Sequence, residues 1–280
     1  GVGNYTEKDV QEAARAFTGW STSGGEFVFD ADGHDRGLKT IFGKTGTFDG
    51  DDVVRLVLRQ PSCARFLVRK LFREFVSQSE TPPDKLLAPL EEQLRKSDYD
   101  VGVCVATMLR SKLFFSKHAY RARIKSPVEY VLGIVGLFDM PVRVERVAAV
   151  MEGMGQSLFA PPNVKGWDGG KTWLNTATLL ARHNFASKLL GGEFRASPND
   201  SPGRLAEKFS KGKTVAARVD FLLDLLLQGD VHPTVRSKLL AFATAGKSIK
   251  KKDTGDGGKV TAEWSAVAHT IAVMPEFQLS

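Results

Sequence analysis

The stretch Asp35–Gly50, "DRGLKTIFGKTGTFDG", decides how the chain is read. Gly43-Lys44-Thr45 has the ending of a phosphate-binding P-loop, which would imply an α/β nucleotide-binding fold. Such a loop needs a first glycine separated by four residues from Gly43, so that successive N–H groups curl around a phosphate. That position is Leu38, and Gly37 is one residue too far. The loop must also run directly into a helix whose N-terminus faces the anion, whereas "TGTFDG" intervenes here. The stretch therefore reads as a small β-excursion between helices, with Gly43, Gly46 and Gly50 as turn glycines and Lys44 exposed.

Outward from this stretch the pattern is helical. In "TEKDVQEAARAFTGW" Thr6 is placed to cap a helix. Glu7 and Asp9 suit its positive end, and Val10, Ala13, Ala14 and Phe17 share one face. "EFVFDADGHD" alternates as a short strand and ends in a polar turn, and "LKTIF" is expected to pair back against it. After Gly50 follow amphipathic or buried helical segments, among them "DDVVRLVLRQ", "CARFLVRKLFREFV" and "SPVEYVLGIVGLF", the last with Pro127 at a first helical position. The expected fold class is mainly α, a multi-helical bundle with one small β-hairpin near residues 26–48. "SPNDSPG" (197–203) reads as a linker. A main domain over 1–192 and a C-terminal helical subdomain over 204–280 are therefore expected. A weak, irregular repeat sets Phe66, Phe115 and Phe277 just past helix ends, where each would staple the next segment to the core.

The chain has 280 residues, an ordinary globular composition and a net charge of +7. No apolar run reaches the roughly 20 residues of a membrane span. The start shows no signal-peptide pattern, which a mature exported protein would lack as well. The one dense basic run, "KSIKKKD" (247–253), has no interleaved aromatics, so nucleic acid is not an expected partner. Cys63 and Cys104 lie in apolar helical patterns and are expected as buried free thiols, with no Cys-x-x-Cys for redox or zinc chemistry.

Two segments could carry chemistry. "FDADGHDRG" clusters Asp30, Asp32, His34 and Asp35. Its glycine spacing excludes an EF-hand. Asp30, His34 and Asp35 are catalytic candidates, and Asp32 with His34 are metal candidates. The same residues also suit a polar turn in which aspartates accept backbone N–H bonds. The second segment, "MGQSLFAPPNVKGWDGGKTWLNTATLLARHNF", is the most unusual in the chain. Its prolines and glycines force an extended, turning path. Asn163, Lys165, Trp167, Trp173, Asn175 and Arg182 there suit a glycan or an acidic polymer, since aromatic faces stack on sugar rings. The alternative is a loop that clamps helical layers, with buried tryptophans and Asn175 capping a helix. Both segments are expected on one face, with Asp35 and Lys165 as a candidate charge pair. No elbow, metalloprotease or dinucleotide motif is present, and no cofactor is expected.

Together, "NYTEKDVQEAARAFTGW", "HDRGLKTIFGKTGTFDGDDVVRLVLRQPSCARFLVRKLFREFV", "KSPVEY", the "PPNVKGW" segment and the final "MPEFQLS" resemble the bacterial family called domain of unknown function 1800. The resemblance implies a C-terminal part of a protein with a helical segment upstream. It also implies export to the periplasm or cell exterior, and an exported sulfatase-like protein as a candidate partner. The motif positions carried over are His34, Asp35, Gly37, Lys39, Pro161, Pro162, Asn163, Lys165, Gly166, Trp167, Trp173 and Asn175. The resemblance assigns no catalytic role to any of them. Two functions follow: a non-enzymatic extracytoplasmic binding or scaffold module, with Lys39 among its binding residues, or a hydrolase or metal-assisted enzyme.

Overall fold

The structure is a computed structural model that describes residues 3–78, 81–194, 202–249 and 256–280, with side chains at 246–249 and 256–263 excepted. The described residues are mainly helical, with two small antiparallel hairpins. They divide into two compact units, Gly1–His118 and Ala119–Ser280.

Unit 1 opens with α1 (Glu7–Ala16), where Thr6 and Asp9 form a capping box. The chain then makes β1 (Trp20–Ser23) and β2 (Glu26–Phe29), and after them β3 (Lys39–Ile41) and β4 (Lys44–Gly46). The pairing differs from the single hairpin expected. β2 pairs back to β1 across Gly24-Gly25, and β3 pairs forward to β4. The reason is local. Phe42 and Gly43 have φ of +51° and +73°, both positive as the tight two-residue hairpin turn requires. The Gly-Lys-Thr stretch is thus a hairpin turn and the head of β4.

Two further helices follow, α2 (Gly50–Leu58), opened by an Asp49/Asp52 capping box, and α3 (Pro61–Phe75), which has Pro61 in its first turn and no side-chain cap. Gly50 is needed at the start of α2, because a Cβ there would lie 2.4 Å from the Trp20 ring. α1, β3 and α2 bury Ala16, Ile41, Val53 and Leu56 together. α4 (Asp84–Lys96) and α5 (Val101–Leu109) pack on α3 and on each other.

Unit 2 comprises α6 (Pro127–Leu137), α7 (Val144–Gly153), α8 (Thr176–Gly191), α9 (Pro202–Phe209), α10 (Val215–Leu227), α11 (Pro233–Ile249) and α12 (Asp256–Ala272), with short 3₁₀ turns at Gly170–Trp173 and Pro275–Gln278. One core runs through it, from Tyr130 and Ile134 through Leu189 and Leu222 to Trp264 and Phe277. This moves the boundary expected near Gly192 to His118/Ala119. α12 packs on both α8 and α9, so the segments flanking Gly192 share a core and do not form separate bodies. Most of the expected linker (197–201) and the basic run from Lys250 onward lie outside the described residues. Pro202 and Gly203 begin α9.

The expected aromatic staples divide. Phe277 is buried in the core, while Phe66 and Phe115 are exposed. Both cysteines are free, Cys104 buried and Cys63 half-buried. No helix among the described residues is long and apolar enough to cross a membrane.

Candidate functional site

The first polar segment is built onto the end of α1. Arg15 holds Asp35 with two bonds, Nε to Oδ2 at 2.7 Å and Nη2 to Oδ1 at 3.2 Å. The Gly37 N–H donates to the same carboxylate at 2.8 Å. These donors, Arg15 first, pull the Asp35 carboxyl down to about 2, and the same bond raises Arg15. Thr18 adds a second tie: its hydroxyl accepts the Asp35 N–H at 2.8 Å, and its carbonyl accepts His34 Nδ1 at 2.9 Å. His34 also packs on the Phe29 ring. Lys39 is fully buried, and its ammonium donates to the carbonyls of Asp35 and Gly37. That closes the loop between the turn and β3. Glu12 accepts the Thr40 N–H at 3.0 Å and Asp9 the Phe42 N–H at 2.7 Å. The carboxyl of Glu12 is lowered chiefly by that Thr40 bond, and that of Asp9 chiefly by the Thr6 hydroxyl.

His34, Asp35 and Lys39 therefore form a clasp that fixes the second hairpin to α1. Asp30 and Asp32 lie on the exposed turn, with Asp30 Oδ1 accepting the Asp32 N–H at 3.1 Å. Among the described residues, no three His, Cys, Asp or Glu side chains converge as a metal site would need.

The second segment separates into a foot and a tip. Trp173 is buried, and Asn175 caps α8 in a capping box with Thr178, whose hydroxyl also donates to the Trp173 carbonyl at 3.0 Å. These residues anchor. The tip begins with an Asn163 turn, where the side chain accepts the Lys165 N–H at 2.9 Å and the carbonyl accepts the Gly166 N–H at 3.0 Å. Lys165 pairs with Asp168 at 2.5 Å, both largely exposed. Asp35 pairs with Arg15 and Lys165 with Asp168, so each has inside its own unit the kind of partner the sequence reading sought in the other. Trp167 is half-buried, while Phe159 is 98% exposed and Val164 fully so. Phe159 also has a φ of +61°, a left-handed conformation uncommon for a bulky residue.

A third cluster was not seen in the sequence as one site. Arg182, assigned there to the loop, points into the unit 2 core and is 1% exposed. Its Nη1 donates to Gln278 Oε1 at 3.0 Å and its Nη2 to the Lys125 carbonyl at 2.7 Å, while Nε has no partner. The guanidinium carbon lies 4.8 Å from the centre of the Tyr130 ring. Tyr130 Oη donates toward the carbonyls of Arg182 and Ala272, each at 3.2 Å. Lys125 Nζ sits 3.9 Å over the Phe277 ring. Residues 123–125 pair in antiparallel fashion with 278–280. Burial brings Arg182 down to about 10 and Lys125 to about 8, and pushes the Tyr130 phenol well above its ordinary range. Three motifs read separately, "KSPVEY", "LLARHNF" and "MPEFQLS", thus meet at one buried cation. The available signal was an arginine on the apolar helix α8 with no acidic neighbour within four positions.

No curated protein and no solved structure matches the chain. A family model does, over residues 1–279. With that match spanning essentially the whole sequence, the chain belongs to the family described as Protein of unknown function (DUF1800).

Proposed function

We propose that the protein is a non-catalytic, extracytoplasmic binding module whose loop over residues 157–169 engages a cell-surface polymer, with a glycan as the ligand class. The carrying observation is the loop tip. Phe159 and Val164 stand in solvent on a foot anchored by Trp173 and the Asn175 cap. Exposed apolar groups on a braced loop are costly unless a partner covers them. The left-handed backbone at Phe159 adds strain of the kind that concentrates at binding sites. Phe159 and Trp167 offer aromatic faces for sugar rings, and Asn163 and Lys165 offer polar groups beside them. Placement outside the cytoplasm rests on the family resemblance.

The hydrolase or metal-assisted reading has less support. Both Asp35 oxygens are held by donors, and its carboxyl lies far below the range of a general base at neutral pH.

A glycan array, followed by titration of the best ligand, tests the proposal. Phe159→Ala and Trp167→Ala should each weaken binding by about tenfold or more, with the melting temperature unchanged for Phe159→Ala. Absence of any glycan binding by the wild type, or binding indifferent to both substitutions, would sink it.

A further inference from the structure

Lys125 stands apart from the other lysines of the chain. Among those whose side chains are described, all but Lys39 and Lys125 are exposed. Lys39 is spent, its ammonium bound to two carbonyls. Lys125 is half-buried, and its ammonium, over the Phe277 ring, makes no hydrogen bond and no ion pair among the described residues. Nor is that nitrogen among the polar atoms sealed from solvent. The backbone is pinned on both sides: the Lys125 N–H donates to the Gln278 carbonyl at 2.9 Å, and the Lys125 carbonyl accepts Arg182 Nη2 at 2.7 Å. The amine is therefore held on a fixed segment, unpartnered and reachable.

The charges around it are unbalanced. Glu129, Arg121 and Arg182 are the charged groups that act on Lys125. Glu129 is already occupied, accepting Arg123 Nη2 at 2.8 Å and the Ser126 N–H at 2.7 Å. Arg121 has no carboxylate partner among the described residues. Its Nη2 donates to the Leu227 carbonyl at 3.1 Å, and the guanidinium packs on the Tyr120 ring. Asp230, the other acid nearby, faces the Tyr120 hydroxyl. With the Arg123–Glu129 pair set aside, three cations stand against one carboxylate. Glu129 and the face of Phe277 favour the ammonium, whereas burial, the largest effect, and the two arginines favour the neutral amine. A lysine kept neutral by burial and by neighbouring cations is a nucleophile.

We propose that Lys125 is a covalent capture site for a small α-oxo acid, its amine forming an imine with the carbonyl carbon while the carboxylate of the ligand lies against Arg121. The amine nitrogen adds its lone pair to the carbonyl carbon, C=N replaces C=O, and the oxygen leaves as water with both protons of the neutral amine. Two features select this class of ligand. An unpartnered amine takes a carbonyl carbon, and a guanidinium fork with open donors is matched to a carboxylate. The site uses no residue of the loop over residues 157–169, and capture without turnover is compatible with a non-catalytic module.

Glyoxylate with cyanoborohydride, which reduces an imine to a stable secondary amine, tests this by site-resolved mass spectrometry of the whole chain. Lys125 should be labelled about tenfold faster than exposed Lys171, and Lys39 should stay unlabelled. The rate at Lys125 should reach half its maximum near about pH 8, below the alkaline range of an exposed lysine. Acetaldehyde, which lacks the carboxylate, should show much less preference for Lys125. Arg121→Ala should lower the ratio of glyoxylate to acetaldehyde labelling at Lys125 by about tenfold, the loss of one charge-assisted contact. The proposal is overturned if glyoxylate labels Lys125 of the wild type no faster than Lys171, or if acetaldehyde prefers Lys125 as strongly as glyoxylate does. It is also overturned if Arg121→Ala keeps its helical circular dichroism and leaves that ratio unchanged. The first two results need no variant, so a misfolded Arg121→Ala protein does not shelter the proposal.

Discussion

Arg15 in unit 1 and Arg182 in unit 2 each tie distant segments together, but by opposite means. Arg15 is partly exposed and faces two carboxylates, Glu12 and Asp35. Arg182 is buried and faces a carboxamide, a backbone carbonyl and an aromatic ring. The first is an ion-pair clasp near water, where screening keeps each pair modest. The second is a buried cation held by dipoles, and removing any part leaves polar groups without water or partner. Segments joined by the clasp lie within about 30 positions of one another, whereas the Arg182 centre joins segments 153 apart, from Lys125 to Gln278. The buried device carries the long-range closure.

The largest test of this contrast is Arg182→Ala. It strands Gln278 Oε1 and the Lys125 carbonyl in the core and opens a void beside Tyr130. A loss of about 3 kcal/mol is expected from unmet buried groups, read as a lower denaturant midpoint. A loss no greater than that of an exposed ion pair would erase the distinction between the two arginines.

A middle-sized test uses pH, because the two regions titrate in different windows. The folded Asp35 carboxyl, at about 2, lies below its ordinary 3.8. The clasp's contribution is therefore present above that ordinary value and is lost as pH falls toward 2. Lys125 is also depressed, to about 8 from 10.5, mainly by burial. Between those values the unfolded chain binds more protons, so stability should rise as pH increases from about 8 to 10.5. Asp35→Asn should flatten the acid slope, and Lys125→Met the alkaline rise. Thermal melts across both windows read them separately, and a substitution that flattened the wrong window would break the assignment.

The smallest effect is expected for Lys165→Ala. Its pair with Asp168 is exposed on both sides, so stability should change by about 0–1 kcal/mol. A larger drop in the thermal melt would mean that the loop tip supports the fold as well as presenting a surface.

Much of the local structure was legible in the residues. Thr6, Asp49, Ser126 and Asn175 cap helices because a short polar side chain reaches the N–H groups of the next turn. That is decided within four positions. The P-loop reading failed on the glycine spacing and on the residues that intervene before the next helix, and the turn at Gly43 took its place. Strand partners were less legible. "EFVF" could pair forward or backward on its alternation, and what chose β1 was the Gly24-Gly25 turn. The domain boundary was missed because proline and glycine near Gly192 look like a linker, whereas the boundary depends on which helices share a core.

By itself, then, the sequence determined the helical class, the capped helix starts, the hairpin turns and family membership, all of which depend on near neighbours or on ordered motifs. The tertiary structure decided which polar residues are spent and which are offered. Lys39 and Arg182 look like surface cations in the sequence, yet both are buried against carbonyls. Phe159 and Val164 look like core residues and stand in water. Burial depends on what distant segments bring to a position, and no local pattern encodes that. A side chain's partners set whether its charge or its apolar surface remains available to anything outside the molecule.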